Sequence, residues 1–268
     1  IVVTTFLPLI EGIKCVCHPD PTDGLGLGKL ISQYKATIMT GTSTFFRLYT
    51  KNSKVHPLMF ESLRLCVAGA EKLREDVRYD FKKKFGKDIL EGYGTSETSP
   101  VAACNLPDVL APDFTIQVGN KIGTVGMAIP GTTIKIVNPQ TFEELATNEE
   151  GMILISGIQV MRGYLNDEVK TAQVLKKIKG KTYYITGDKG RLDEDGFLTI
   201  VDRYSRFTKL AGEMISLGAV EEKISKIIAL DEDSLVDFIV TSVEDEKKGE
   251  KIVLLISEFN FTTLFSFK

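Results

Sequence analysis

The first hundred residues alternate short apolar runs with stretches that carry one apolar face, and this alternation constrains the fold more than any other feature. A short apolar run predicts a buried strand, whereas apolar residues recurring every three or four positions predict a helix. Strands that alternate with helices favour an α/β architecture, with a mainly parallel sheet and flanking helices. The predicted strands are residues 14–17, 36–40, 63–68 and 89–90, and the predicted helices are residues 25–34, 42–49 and 73–85.

The predicted helix at residues 73–85 has the clearest periodicity. Residues four apart lie on one face of a helix, so its apolar side chains are expected to pack together in the core. The chain is 43% hydrophobic, which is enough for a sizeable core. The repeating residues are Leu73, Val77, Phe81 and Phe85.

Residues 91–97 (EGYGTSE) place an aromatic ring, two glycines, two hydroxyls and a carboxylate directly after a predicted strand. Tyr93 offers a flat, rigid face on which a purine ring can stack. Gly92 and Gly94 allow a sharp turn and let a ligand approach the backbone. These features together are typical of a nucleotide-binding segment.

Thr95, Ser96 and Glu97 complete the segment. Hydroxyls can donate hydrogen bonds to phosphate oxygens, and a carboxylate is a hard oxygen ligand suited to a magnesium ion that also binds phosphates. The alternative is purely structural: a glycine-rich strand-to-helix turn in which Ser96 caps the helix and Glu97 favours its first turn. These residues alone leave both readings open.

A second loop, residues 68–70 (AGA), follows the predicted strand at residues 63–68. Ligands of parallel sheets bind beyond the carboxyl ends of the strands. Since Gly69 and residues 92–97 both follow strand ends, we expect both loops to border one crevice.

In residues 123–202 the pattern changes, because glycine and proline now separate short predicted strands at 123–126, 129–131, 134–139 and 151–157. With a strong hairpin turn at 192–197, this spacing predicts a small β-barrel or sandwich. The remainder predicts a small α+β part: a hairpin at 207–216, a helix at 220–228, strands at 238–241 and 252–256, and a solvated charged loop at 244–251. We therefore expect an α/β subdomain at residues 1–122, a β-barrel-like subdomain at 123–202 and part of a small domain at 203–268.

Three ordered motifs resemble those of the adenylate-forming (AMP-binding) superfamily, which includes acyl-CoA synthetases, firefly luciferase and the adenylation domains of peptide synthetases. Residues 93–97 resemble its tyrosine-glycine-x-threonine-glutamate motif, and residues 186–188 (TGD) resemble its ribose-binding aspartate motif. Residues 202–203 (DR), followed by Lys209 and Gly212, resemble its hinge and mobile-domain motif.

Within that superfamily, residues 68–73 (AGAEKL) and 195–213 (DGFLTIVDRYSRFTKLAGE) are most similar to one branch. That branch is the bacterial acyl-acyl-carrier-protein synthetase fused to 2-acylglycerophosphoethanolamine acyltransferase. The likeness covers residues 6–256 and implies an acyl-CoA synthetase-like fold, with the first part of the α/β subdomain lying before this chain.

The resemblance implies activation of a fatty acid by ATP, with AMP in the acyl-adenylate intermediate and Mg²⁺ as cofactor. Ser96 would hold a phosphate oxygen and Glu97 the magnesium ion, and Lys209 is the third implied catalytic residue. The residues implied to contact nucleotide or cofactor are Ala68, Gly69, Ala70, Gly92, Tyr93, Gly94, Thr95, Asp188, Arg203 and Gly212.

In this scheme Tyr93 would stack on adenine, residues 68–70 would line the base or acyl side, and Asp188 would accept hydrogen bonds from the ribose hydroxyls with help from Arg203. The alternative for Asp188 is a turn residue, and the alternative for Arg203 is a surface pair with Asp202.

In a second step, the resemblance implies that a phosphopantetheine thiol attacks the acyl-adenylate after the small domain rotates about a hinge. The hinge matches Ser205, and Lys209 and Gly212 belong to the segment that faces the site in this step. A solvated lysine and a hairpin glycine are the alternative for that segment. The implied acceptor is acyl carrier protein, with coenzyme A as the other candidate and lysophospholipid reacylation as the linked process.

Two superfamily motifs have no match in the chain: the glycine-rich phosphate loop and the distal catalytic lysine. We therefore expect this chain alone not to adenylate at a useful rate, because preorganised positive charge supplies much of the stabilisation of such a transition state. The alternatives are a fragment of a long-chain acyl-CoA synthetase and a non-catalytic remnant that binds a nucleotide or an acyl chain.

Composition and apolar runs argue against nucleic-acid-binding, metal-binding, secreted and membrane-spanning proteins. A net charge of −3 gives no basic excess, so no nucleic-acid partner is expected. The four cysteines include Cys15 and Cys17 on a predicted strand, but no second pair has metal-site spacing, so buried reduced thiols in a cytoplasmic chain are expected. No apolar run approaches the roughly 18 residues of a membrane span, and no signal peptide is expected. Association with the cytoplasmic face of the inner membrane would come from parts outside this chain.

Overall fold

The computed structural model describes residues 2–210, 213–227, 238–245 and 249–256, and the chain divides into two compact units. The first unit comprises residues 1–186 and 190–200, and the second comprises residues 187–189 and 201–268. The two units are described separately below.

Four of the α-helices correspond to predicted ones (25–34, 42–49, 73–85 and 220–228), whereas the helices at Leu7–Ile10 and Glu168–Val174 were not predicted. A short π-helical turn lies at Val2–Phe6, and 3₁₀ turns lie at Pro57–Phe60, Ser96–Thr98 and Tyr204–Arg206. The α-helices are α1 (Leu7–Ile10), α2 (Gly24–Tyr34), α3 (Ser43–Lys51), α4 (Glu75–Phe85), α5 (Glu168–Val174) and α6 (Leu217–Ile227). Among the described residues, none of these helices has both the length and the apolar character of a membrane-spanning segment.

The strands are short in the first half of the chain and longer in the second. They are β1 (Ile38–Gly41), β2 (Leu65–Ala68), β3 (Ile89–Tyr93), β4 (Ala103–Cys104), β5 (Val109–Leu110), β6 (Ile116–Gln117), β7 (Met127–Ala128), β8 (Thr132–Val137), β9 (Gly151–Gly157), β10 (Leu175–Ile178), β11 (Lys181–Leu192), β12 (Leu198–Arg203), β13 (Phe207–Leu210), β14 (Glu213–Ser216), β15 (Phe238–Asp245) and β16 (Gly249–Ile256).

The first sheet of the first unit has the order β1-β2-β3-β4-β7. Strands β1, β2 and β3 are parallel, and β4 and β7 continue the sheet in antiparallel fashion. The crossovers from β1 to β2 and from β2 to β3 contain α3 and α4, so the predicted α/β class is confirmed.

The core beside this sheet is rich in phenylalanine. Phe60 stacks on Phe85 with ring centroids 4.4 Å apart, and Phe46 meets Phe81 edge to face at 5.1 Å. All four residues of the predicted four-residue repeat are buried: Leu73, Val77, Phe81 and Phe85. The periodicity therefore identified the core face of α4 correctly, although the helix itself begins two residues later than Leu73.

The second sheet has the order β10-β11-β9-β8, with β12 also paired to β11. Strand β8 runs antiparallel to β9, and β10 runs antiparallel to β11. The region predicted to form a small β-barrel or sandwich thus forms an open sheet, a half-barrel. Its buried residues include Ile153, Ile155 and Leu198, which pack with Ala102 and Ala103.

The second unit consists of two hairpins and one helix in its described residues. The predicted hairpin is β13–β14, and β15–β16 is a second, eight-residue hairpin. The backbone N–H of Val240 in β15 donates to Glu221 of α6 at 2.8 Å. This is the small α+β part that the sequence predicts.

Four predicted elements were wrong. Residues 14–17 form no strand, and Cys15 and Cys17 are exposed thiols rather than buried ones, with their sulfurs 3.8 Å apart. Residues 123–126 and 129–131 form turns and irregular backbone rather than strands, and Gly123 and Gly126 both have positive φ, of 84° and 86°. Most of the predicted charged loop at 244–251 belongs to the paired strands β15 and β16, since a hairpin can carry charge on its solvent face.

Candidate functional site

The segment after β3 begins at Tyr93, the last residue of that strand. Tyr93 lies opposite Ala103 of β4 and accepts a backbone hydrogen bond from Ala102 at 2.8 Å. Its ring is half-buried and packs against the core of the half-barrel. Neighbouring strands therefore fix the position of the ring predicted to stack on adenine.

Gly94 is the point at which the chain folds back on itself. A Cβ at Gly94 would lie 1.9 Å from the carbonyl oxygen of Pro100, so no side chain fits there. A Cβ at Gly92 would meet nothing closer than the sulfur of Cys104 at 3.4 Å, an ordinary contact. The backbone therefore requires glycine at position 94 but not at position 92.

The turn after Gly94 is closed by threonines. The Thr98 hydroxyl accepts a hydrogen bond from the Thr95 backbone N–H at 3.0 Å and lies 3.0 Å from the Thr95 carbonyl oxygen. Thr95, not Ser96, is thus the cap residue of the 3₁₀ turn, which corrects the structural alternative drawn from the sequence. Ser96 is exposed, so its hydroxyl is accessible to a phosphate group.

Glu97 is half-buried, and its carboxylate is held by a residue distant in sequence. The hydroxyl of Tyr164 donates to Glu97 Oε1 at 2.7 Å, and the Met161 backbone N–H donates to the Glu97 carbonyl at 2.8 Å. Burial acts to raise the pKa of Glu97, but hydrogen bonding, above all from Tyr164 with a smaller contribution from Tyr184, outweighs it and holds the pKa below its usual value. The carboxyl is therefore ionised at neutral pH.

Tyr164 was not predicted to belong to the site. Its hydrogen bond to Glu97 and the nearby negative charge raise the pKa of its hydroxyl to about 12. The hydroxyl is thus a permanent donor near neutral pH. Residues 162–165 (RGYL) resemble a superfamily segment that follows a barrel strand, but this likeness gives no indication of a partner at position 97.

The loop after β2 lies beside the loop after β3, as the sequence predicts. Ala68 is buried and pairs in register with Glu91. A Cβ on Gly69 would lie 3.6 Å from the carbonyl oxygen of Gly92. Ala70 is exposed and adopts a left-handed conformation with φ of 68°, which turns the chain away from the sheet.

Two carboxylates stabilise the loops after β2 and β3, and neither was predicted to have this role. Glu71 accepts hydrogen bonds from the backbone N–H of Thr44 at 2.6 Å and from its hydroxyl at 3.2 Å, which ties the β2 loop to the start of α3. Glu91 forms a nearly buried ion pair with Arg78 of α4. Hydrogen bonds from α3 and an ion pair with α4 therefore stabilise the residues on either side of these loops.

Asp188 and Arg203 lie in the second unit and form an ion pair, with Arg203 Nε 3.1 Å from Asp188 Oδ1. Asp188 is 3% exposed, whereas the Arg203 side chain is 67% exposed. Asp202 accepts hydrogen bonds from the Ser216 hydroxyl and from the backbone N–H groups of Gly218 and Arg203. The Arg203 guanidinium itself pairs with Asp188, so the alternative that paired this side chain with Asp202 was wrong.

The other predicted residues of the second unit are described only in part. Ser205, the predicted hinge, is exposed in the 3₁₀ turn at Tyr204–Arg206. Lys209 lies in β13 with its backbone opposite Met214. Gly212 lies outside the described residues. The roles of all predicted site residues stay predictions.

The residues present fit a magnesium ion that also binds phosphates. Among the described residues, no group of three or more histidines, cysteines, aspartates or glutamates could enclose a metal. A single ionised carboxylate such as Glu97 is nevertheless an appropriate donor, because magnesium is commonly held by one or two carboxylates together with substrate phosphates.

Comparison with known proteins identifies the family of this chain. The AMP-binding enzyme family matches residues 1–165. A long-chain-fatty-acid–CoA ligase of Bacillus subtilis is 32% identical over 243 residues, which cover 90% of this chain and 40% of the relative. A 4-coumarate–CoA ligase 2 of Nicotiana tabacum is 32% identical over 237 residues, covering 88% of this chain and 41% of the relative.

A solved structure shares the fold. The o-succinylbenzoate–CoA synthetase of Bacillus subtilis, in complex with its acyl-adenylate intermediate, superposes with a TM-score of 0.73 at 25% identity. The alignment covers 94% of this chain and 47% of that one. The chain thus spans about 40% of the length of the curated relatives it matches.

Proposed function

Because the chain belongs to the AMP-binding enzyme family, we propose that it supplies part of the active site of an ATP-dependent, AMP-forming ligase that activates a fatty acid. The observation that carries the proposal is the segment from Tyr93 to Glu97. It places an aromatic ring, an exposed hydroxyl and an ionised carboxylate within one turn at the carboxyl end of a parallel strand. Such strand ends are the usual ligand sites of open α/β sheets.

In the proposed first step, the carboxylate of the fatty acid attacks the α-phosphorus of ATP and pyrophosphate leaves in line. Positioning and charge neutralisation carry most of such a reaction. The exposed hydroxyl of Ser96 donates to a phosphate oxygen, and Tyr93 stacks on the adenine ring. Glu97 would hold magnesium, which would supply charge neutralisation at the phosphate oxygens.

Asp188 is proposed to accept hydrogen bonds from the ribose hydroxyls. Its pairing with Arg203 keeps the buried carboxylate compensated while the nucleotide is absent, since a buried charge without a partner is costly. The guanidinium is mostly exposed and can also contact the nucleotide.

The proposed acceptor in the second step is the phosphopantetheine thiol of an acyl carrier protein, with a link to lysophospholipid reacylation. The likeness of residues 68–73 and 195–213 to the acyl-acyl-carrier-protein synthetase branch supports this choice. A cytoplasmic location, at the inner membrane face when further domains are attached, fits the same function.

Free coenzyme A is a second candidate acceptor. It is favoured by the 32% identity to a protein named long-chain-fatty-acid–CoA ligase. The two candidates can be separated by supplying synthetic acyl-adenylate, which bypasses the first step, and measuring thioester formation. Faster acylation of holo-acyl carrier protein than of coenzyme A supports the first acceptor, and the reverse order supports the second.

The nucleotide site is tested by AMP binding to the wild type and to Asp188→Asn, measured by isothermal titration calorimetry. The variant keeps the shape of the side chain, and we expect AMP binding to weaken at least about tenfold, because hydrogen bonds to charged groups contribute about 1.5–3 kcal/mol. Asp193→Asn is the control, since Asp193 is also paired with a cation, Lys121, and has no proposed role. Equal AMP affinity in the wild type and Asp188→Asn would remove Asp188 from the site.

A further inference from the structure

The Tyr164 hydroxyl holds one oxygen of the carboxylate proposed to bind magnesium. It donates to Glu97 Oε1 at 2.7 Å across 67 positions of sequence. The same two segments are joined by the backbone hydrogen bond from Met161 to Glu97 at 2.8 Å. The loop that precedes α5 is therefore attached at two points to the turn that follows β3.

Contacts that do not involve Glu97 fix the position of Tyr164. Its backbone N–H donates to the Thr171 hydroxyl at 2.8 Å, and the ammonium of Lys170 lies 4.7 Å from the centre of its ring. Gly163 packs so closely against Thr171 that a Cβ there would lie 2.8 Å from the Thr171 methyl carbon. Contacts within the protein itself thus hold the Tyr164 hydroxyl at the start of α5.

We infer that Tyr164 is a positioning residue that orients the Glu97 carboxylate for binding of the magnesium–nucleotide complex. The inference rests on the proposed function, in which Glu97 is the magnesium-binding carboxylate. A hydroxyl on one carboxylate oxygen restricts rotation of the whole group. Carboxylates that bind metals are commonly oriented by such outer hydrogen bonds, and loss of one typically lowers metal affinity about 10- to 100-fold.

The variant Tyr164→Phe removes the hydroxyl but keeps the ring and its contact with Lys170. ATP binding to the wild type and the variant is measured by calorimetry, first in EDTA and then over a magnesium titration. We expect the variant to bind ATP in EDTA as tightly as the wild type does. The magnesium concentration that gives half of the magnesium-dependent increase in ATP affinity should rise about 10- to 100-fold. A change in general packing would instead lower ATP affinity in EDTA as well.

A matched control is available in the same unit. The Tyr49 hydroxyl donates to the Pro21 carbonyl at 2.7 Å, the length of the Tyr164 bond, and Tyr49 has no proposed role in nucleotide binding. Tyr49→Phe therefore loses a comparable hydrogen bond, and its magnesium dependence should equal that of the wild type. Thermal unfolding of both variants confirms that they are folded during the titration.

The double variant Glu97→Gln/Tyr164→Phe shows whether Tyr164 acts through Glu97. If it does, the double variant behaves like Glu97→Gln alone, because the two effects are not additive. Two results would overturn the inference and leave the proposed function intact. The first is normal magnesium dependence of ATP binding in Tyr164→Phe when Glu97→Gln is impaired. The second is weaker magnesium-dependent ATP binding in the double variant than in Glu97→Gln. Normal magnesium dependence in Glu97→Gln, or no ATP binding by the wild type, would overturn the magnesium role of Glu97 and this inference together.

Discussion

Single residues of the candidate site differ in how tightly the backbone constrains them. Gly94 leaves no room for a side chain because the carbonyl of Pro100 occupies the space, whereas a Cβ at Gly92 would meet no atom closer than 3.4 Å. Glu97 and Tyr164 are constrained by each other, and Ser96 is exposed. The backbone and the acid are thus fixed before a nucleotide arrives, which is the usual requirement for a precise site.

Gly94→Ala is expected to destabilise the protein by about 1–3 kcal/mol or more, because the backbone around Pro100 must move to accept the methyl group. Gly92→Ala should change the free energy of unfolding far less. Urea unfolding followed by circular dichroism measures both. Equal destabilisation of the two variants would contradict the close backbone approach at Gly94.

Cys66 gives a prediction about pH. Burial in β2 raises the pKa of its thiol from 9.0 to about 12. Well below pH 9 the Cys66 thiol is protonated in both the folded and unfolded states and gives no pH dependence. Between pH 9 and 12 the unfolded state releases a proton that the folded state keeps, so this group makes the free energy of unfolding fall as pH rises.

Cys66→Ala removes the titrating thiol, while the free energy lost to the cavity in this variant does not change with pH. The stability gap between the wild type and the variant should therefore shrink by about 1 kcal/mol from about pH 8 to about pH 10. Urea unfolding under reducing conditions at the two pH values tests this. A gap that stays constant would show that the thiol is not protected by burial.

At the scale of secondary-structure elements, α4 stabilises the framework below the site. Its apolar face packs Val77, Phe81 and Phe85 into the core, and Arg78 on the same helix pairs with Glu91 in β3. The helix ends at Gly86 in a left-handed conformation. These contacts hold the strand whose carboxyl end leads into the nucleotide-binding segment.

Phe81→Ala is expected to lower the free energy of unfolding by about 3–5 kcal/mol, because the side chain is fully buried and its loss leaves a cavity. Tyr79 lies on the same helix with 66% of its surface exposed, so Tyr79→Ala should change stability by about 0.5 kcal/mol or less. Chemical unfolding of both variants measures the difference. Similar losses in the two variants would mean that α4 does not pack as described.

Long periodic elements could be predicted from the sequence, and short ones could not. Residues 73–85 repeat over several turns, so their buried face is evident from spacing alone. Residues 14–17 and 123–126 offered only four positions each, and four apolar or glycine-rich residues suit a turn or an extended loop as well as a strand. At residues 244–251 charge was taken as evidence for a loop, although β15 and β16 pair through most of that stretch.

The sequence identified those parts of the candidate site that follow from strand order or from a motif. The loops after β2 and β3 could be placed side by side because parallel strands end at one edge of a sheet. The contact between Glu97 and Tyr164 could not be predicted, because no local pattern relates positions 67 residues apart. Glu71 and Arg78 were missed for the same reason: their partners come from other elements.

At the scale of the whole molecule, the predicted nucleotide-binding residues are divided between two compact units. The first contains residues 68–70 and 92–97, and the second contains Asp188 and Arg203. The family match over residues 1–165 and the half-barrel after the parallel sheet support the proposal that the first unit is part of an AMP-forming ligase. In that account, the segment after β3 contacts the base of an adenine nucleotide.

Photolabelling with 8-azido-AMP tests this central claim most directly, because the azide reacts with residues that touch the adenine ring. After illumination and proteolysis, mass spectrometry locates the label. We predict labelling of the peptide that contains Tyr93, suppressed by excess AMP but not by excess CMP. Labelling confined to other peptides, or labelling that AMP does not suppress, would contradict the assignment of this segment as an adenine-nucleotide site.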